Sequence, residues 1–169
     1  MKLNIKENQK LRELIAYLFF GVLTTAVSML IYFLVLFGGE HILLLSPEDV
    51  RFYYVRLAGE ILQWIGGVLF AFFTNKKWVF TEADQNVSTL KQLRIFAGSR
   101  LLTLGLDAAL TFGVVWLLQN TGYKDFTLSF IVITITVTAD LISKIVAAVF
   151  VVISNYFISK IFVFKNKKN

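Results

Sequence analysis

Polar positions in this chain come in blocks, and the apolar runs between them are long enough to cross a bilayer. Residues 1–13 are polar and basic, with Lys2, Lys6, Lys10 and Arg12 against Glu7 and Glu13. Leu14 to Phe37 then runs without a charge. At about 1.5 Å per residue, a helix of that length spans the roughly 30 Å hydrocarbon core. The run is too long for a signal-peptide core and no A-x-A site follows it, so an uncleaved first span is expected. A mixed loop over 38–55 holds Gly38, Gly39, Pro47, His41 and the acidic Glu40, Glu48 and Asp49. A second span is predicted over Tyr54–Asn75, interrupted by Arg56 and Glu60, followed by a polar connector, Lys76–Arg94. A third covers Ile95–Leu118 and carries Arg100 and Asp107, and a short loop, Gln119–Asp125, follows.

The remaining stretch, Phe126–Phe164, is broken only by Asp140, Lys144 and Lys160, and one straight helix of that length would overshoot the bilayer. Its first part, SFIVITITVT, is rich in β-branched residues, which favour strand over helix. A bend or separate segment is therefore expected before about Thr138, with the fourth span near Ala139–Lys160. Within the 76–94 connector, Val87, Leu90 and Leu93 recur at helical spacing. They predict an interfacial lead-in helix over 85–96 on the inner membrane surface.

Composition agrees with an all-α integral membrane protein. Hydrophobic residues make up 57% of the 169-residue chain, with mean hydropathy +0.70. Charged residues are 17%, below the roughly 25% of soluble domains. With no cysteine, disulfides, thiolate metal sites and cysteine nucleophiles are excluded. His41, the single histidine, has no clustered carboxylates or cysteines around it in sequence, so a surface histidine is expected and no metal.

The basic residues fix an expected topology. The N-terminus, the 76–94 connector and the end from Lys160 onward each hold four Lys or Arg, whereas the two other loops hold only Arg51 and Lys124. By the positive-inside rule, four spans with both termini in the cytoplasm put every basic cluster on one side. Treating 126–138 as its own span would give five and move the C-terminus outside, against that charge distribution.

An internal repeat follows. LRELIAY (Leu11–Tyr17) aligns with LKQLRIF (Leu90–Phe96) at an offset of 79, and FFTNKKWVF (Phe72–Phe80) with YFISKIFVF (Tyr156–Phe164) at 84. One membrane domain over 1–169 is expected, built as hairpin repeat 1 (about 10–80) and hairpin repeat 2 (about 89–164). Both hairpins start in the cytoplasm, so the repeat is parallel, with a pseudo-two-fold axis along the membrane normal. At the offset of 84, Arg56 matches Asp140 and Glu60 matches Lys144, giving each hairpin an intramembrane charge pair with the signs reversed. The pairs can close within each helix or across the axis, as a neutral clamp or as part of a substrate path.

Arg100 and Asp107 are seven residues apart, on one helical face about 10 Å apart along the axis. Arg100 is close enough to the span's end to snorkel, whereas Asp107 is too short and too deep. Lys76, Lys77, Arg94 and Arg100 are expected at the cytoplasmic level, as a site for an anionic headgroup or phosphate. Asp107, Asn75 and Asn155 can hydrogen-bond hydroxyls, while Lys76 and Lys77 are equally explained by topology. Trp64, Trp78 and Trp116 offer flat faces to a sugar, with an interfacial belt the simpler role for Trp78. No dinucleotide, P-loop, zincin or Ser-His-Asp pattern occurs, so no enzyme and no cofactor are expected. Nucleic acid is not an expected partner, because the basic residues lie where topology requires them.

Four spans, the glycine of FFG (Phe19–Gly21), NKKWVF closing the second span and SKIFVF closing the fourth resemble the GtrA-like family, which includes GtcA-type proteins. Ser159 and Ile161 depart from the pattern, standing where Asn75 and Lys77 stand in the first half. The resemblance implies a bacterial cell-membrane protein that flips a polyprenyl-phosphate-linked sugar for glycosylation of a surface polymer such as teichoic acid or O-antigen. The alternative it implies is a non-transporting accessory protein that recruits a glycosyltransferase of the same pathway. A phosphate at the Arg100 level, with Asp107 and nearby amides on the sugar, fits the flippase. Four spans leave little room for a cavity in one copy, so a homo-oligomer in contact with membrane lipid is expected. An ion transporter would need an unpaired acid in the second span, and Glu60 has Arg56 one turn away.

Overall fold

The computed structural model describes residues 2–84, 86–129 and 134–165. It divides into two compact units, one reaching Asn86 and the other covering Val87–Lys165. Among the described residues, four helices are long and apolar enough to cross a membrane, over Asn8–His41, Phe52–Val79, Thr89–Asn120 and Ala139–Val163.

The first unit is a helical hairpin. Helix α1 covers Lys2–His41 and α2 covers Phe52–Thr74. At about 1.5 Å per residue α1 is about 60 Å long, so it extends well past one hydrocarbon core. It runs through Gly38 and Gly39, which places His41 in its last turn rather than in a loop. There the imidazole stacks on Phe37, 4.1 Å between ring centres. The turn into α2 is held by Arg51, whose backbone amide and guanidinium both donate to Asp49, each at 2.7 Å. These bonds hold the Asp49 carboxyl below the usual carboxylate range. Small residues let the two helices meet. A Cβ on Gly67 would lie 2.2 Å from Ser28 Oγ, and one on Gly59 would lie 2.9 Å from the Tyr32 ring.

The second unit repeats this plan with an insertion. Helix α3 covers Thr89–Asn120, and α4 covers Ala139–Ile158. Of the amphipathic 85–96 stretch, Gln85 lies outside the described residues. From Thr89 the stretch is the start of α3, since no proline interrupts it and Gly98 is tolerated inside the helix. Between α3 and α4, β1 (Phe126–Ser129) pairs antiparallel with β2 (Thr134–Val137), while residues 130–133 of the β-branched segment lie outside the described residues. Thr138 then caps α4 by accepting a hydrogen bond from the Leu141 amide, so the helix starts at Ala139 as expected.

Both units end their second long helix in the same way. Asn75–Val79 and Ser159–Val163 are five-residue π-helices. Each closes with a phenylalanine amide bonded five residues back, Phe80 to the Asn75 carbonyl and Phe164 to the Ser159 carbonyl, both at 2.8 Å. Both phenylalanines are buried against an aromatic of the preceding helix, Tyr17 with Phe80 and Phe96 with Phe164. Elsewhere large apolar side chains are exposed along all four helices, from Leu14 and Phe33 to Leu102, Val149 and Phe157. That surface suits lipid and not water.

Candidate functional site: a polar seam in the second hairpin

Arg100, Thr103 and Asp107 follow one another at three and four residues on α3, so they share a face. Thr103 is buried, and its hydroxyl lies 3.1 Å from the Arg100 carbonyl and 3.0 Å from the Asn155 side-chain amide on α4. A hydroxyl has one hydrogen, which Thr103 shares between the Asn155 Oδ1 across the hairpin and the Arg100 carbonyl of its own helix. Further along the face, Asp107 meets Lys144 of α4 at 3.4 Å. The Asp107 side chain is 35% exposed and that of Lys144 62%, so this is an open ion pair rather than a sealed one.

Arg100 is half-buried, with its guanidinium over the Phe96 ring at 4.4 Å from the ring centre. Phe96 is itself fully buried against Phe164. The ring therefore gives the cation a fixed platform and leaves its N–H fork to point elsewhere. Ser99, one residue before Arg100, and Ser143 on α4 are also buried, and each hydroxyl donates to a carbonyl of its own helix. The seam thus combines one stacked cation, one open ion pair and several short hydroxyl and amide groups. Such a set can bind an anion and hydrogen-bond a polyol, and polar groups within membrane spans are the usual mark of a substrate path.

Of the two ways the charge pairs could close, the one within each helix is not seen among the described residues. Among the described residues no ion pair joins Arg56 to Glu60 or Asp140 to Lys144. Lys144 is drawn across to Asp107 instead. Asp140 lies in the first turn of α4, where the helix N-terminus favours a carboxylate. Arg56 turns toward the loop before α2, 3.4 Å from the Pro47 carbonyl, and lies over Phe52 at 5.4 Å. Glu60 accepts from Gln63.

In the first unit, Asn75, Lys76 and Lys77 all fall in the π-helix. Asn75 is buried, Lys76 half-buried and Lys77 exposed over the Trp78 ring. Trp78 stacks on Phe20, 5.3 Å between ring centres at 13°, so one of its faces is already taken. Trp64 is half-buried and Trp116 exposed.

Three buried polar atoms of the second unit have no hydrogen-bond partner among the described residues: Gln92 Oε1, Thr111 Oγ and Ser159 Oγ. Sequence patterning singled out Ser159, as standing where Asn75 stands in the first half, but not Gln92, Thr111 or Thr103. For Thr103 a signal existed, its position three residues after Arg100 and four before Asp107. For Thr111 none did, since a threonine in an apolar helix is unremarkable.

Comparison with known proteins agrees with this architecture. The chain is 28% identical over 153 residues to the uncharacterized membrane protein YwcD of Bacillus subtilis, covering 90% of this chain and 96% of that one. It is 27% identical over 159 residues to the cell wall teichoic acid glycosylation protein GtcA of Listeria innocua, covering 94% of this chain and 88% of GtcA. No solved structure matches it. The family model described as the GtrA/DPMS transmembrane domain matches residues 16–164. That match reaches all four long helices and both π-helical closes, and the chain belongs to the GtrA/DPMS transmembrane-domain family.

Proposed function

We propose that this protein translocates a polyprenyl-phosphate-linked sugar across the bacterial cytoplasmic membrane for glycosylation of a surface polymer. The observation that carries this reading is the seam of Arg100, Thr103 and Asp107 with Asn155 and Lys144. Such a headgroup is an anion joined to a polyol, and neither part crosses bare hydrocarbon. The Arg100 fork suits a phosphate bidentately, and Asp107 and Asn155 suit sugar hydroxyls. Lys144 offers a second cation further along the path. The similarity to GtcA supports teichoic acid as the acceptor class. The distribution of Lys and Arg supports cytoplasmic termini, which places the basic ends and the π-helical Asn75, Lys76 and Lys77 at the inner face. A parallel repeat and a homo-oligomer with a lipid-lined groove complete the proposal. With no nucleotide-binding motif in the sequence, net flux would run downhill, driven by consumption outside, or be coupled to an ion.

The first test is made in cells that depend on this protein for polymer glycosylation. Arg100→Ala is expected to abolish surface glycosylation while the protein stays in the membrane at its normal amount. Normal glycosylation by that variant would remove Arg100 from the mechanism.

A further inference from the structure

We propose that the β1–β2 hairpin is a membrane-surface anchor, lying in the bilayer interface with one face on lipid and the other on water. The register pairs Phe126 with Val137 and Leu128 with Ile135. Strand alternation sets those four apolar residues on one face. It sets Thr127 and Thr136 on the other, where their hydroxyls approach at 3.4 Å, with Ser129 beside them. Phe126, Leu128 and Ile135 are all more than 40% exposed. No charged residue occurs from Phe126 to Ala139. A solvated hairpin normally carries charge on its exposed side, and this one has an apolar face and a hydroxyl face instead.

Its location narrows the choice. The hairpin joins the end of α3 at Asn120 to the start of α4 at Ala139, so it lies where two spans leave the bilayer on the same side. Aromatic residues mark that level, with Trp116 66% exposed in the last turns of α3. Tyr123 donates its hydroxyl to the Val137 carbonyl at 2.8 Å, and the Ala139 amide donates to Asp125 at 3.3 Å. These two bonds tie the base of the hairpin to the helix ends and limit how far it can swing.

The hydrocarbon core is closed to it. The sheet has two strands, so each strand has an open edge whose backbone groups need a partner, and none exists among lipid tails. Bulk water is unfavourable too, because it would wet a contiguous apolar face. The interface satisfies both: headgroups and water bond the open edges and the hydroxyls, while acyl chains cover Phe126, Leu128, Ile135 and Val137. The partner is therefore the lipid surface.

The chain has no cysteine, so single-cysteine spin labels can report each face of the full-length protein in phosphatidylethanolamine–phosphatidylglycerol vesicles. Labels are placed at Phe126→Cys, Leu128→Cys and Ile135→Cys, and at Thr127→Cys and Thr136→Cys. Ile145→Cys on α4 serves as the lipid reference and Glu48→Cys as the water reference. The first three are expected to collide with oxygen severalfold more than with a polar nickel chelate, as Ile145 does. The two threonine positions are expected to show the reverse. Water-like values at Phe126, Leu128 and Ile135 would overturn the proposal. So would shielding from both reagents, which would mean a protein partner covers the face, and so would lipid-like values at all five positions.

Discussion

Thr103 shows how much one hydroxyl carries inside an apolar hairpin. Its contact with Asn155 is a side-chain hydrogen bond between α3 and α4 that involves no charge. Interhelical hydrogen bonds in membranes average about 0.6 kcal/mol, with a maximum near 1.7. Thr103→Val keeps the shape and removes the bond, so it should cost roughly 0.6–1.7 kcal/mol in reversible unfolding in bicelles. A larger loss would mean that Asn155 is left with a desolvated amide and no substitute. Asp107 and Lys144 permit a sharper separation of packing from transport. Reversing the pair, Asp107→Lys with Lys144→Asp, should recover the thermal stability lost in either single variant without recovering translocation. Recovery of both would reduce the pair to a packing clamp with no part in moving the headgroup. Outside the spans, the Asp49 carboxyl is held low by Arg51, so its contribution to the turn is present above the ordinary carboxylate range. It is lost as pH falls through the depressed value, and exchange of the Arg51 amide should accelerate there. At this scale the sequence spoke unevenly. Arg100 and Asp107 stood out by charge and spacing, but the partner of Lys144 did not. Choosing Asp107 over Asp140 depends on how α3 and α4 are aligned, and no local pattern encodes that alignment.

Among the elements, the two π-helical closes show how far pattern alone reaches. FFTNKKWVF and YFISKIFVF are visibly related, and both fold as a π-turn sealed by a buried phenylalanine. The π geometry itself was not legible, because it has no residue signature comparable to a cap or a proline. The β-branched run before Thr138 was legible as a break from helix, though its pairing as a hairpin was not. The lead-in stretch is continuous with α3 from Thr89, and an amphipathic face alone does not encode whether a helix bends at the interface or continues inward. Glycine roles were equally hidden. Gly67 looks ordinary in sequence, yet a side chain there would meet Ser28 and Thr24. Gly67→Ile should therefore push α1 and α2 apart and lower the melting temperature in detergent. Gly113→Ile is the control, since nothing lies within 4 Å of its Cβ position, and it should change little.

For the molecule as a whole, composition and charge blocks carried most of the inference. The predicted spans fall within the four long helices, and their ends differ where helices continue past the apolar run, as α1 does at both ends. An apolar run says where the lipid lies and leaves open where a helix stops. The proposed topology is checked by labelling single cysteines from outside intact cells. One near Lys124 should react with an impermeant reagent, and one near Lys77 should react only after permeabilisation. Reconstitution separates a chain that moves the lipid by itself from one that only recruits a glycosyltransferase. Purified protein in otherwise empty liposomes, supplied with a short-chain polyprenyl-phosphate-linked sugar, should carry it across at a rate proportional to protein and lost in Arg100→Ala. A rate no higher than that of protein-free liposomes, with glycosylation restored only when a glycosyltransferase is added, would contradict the account.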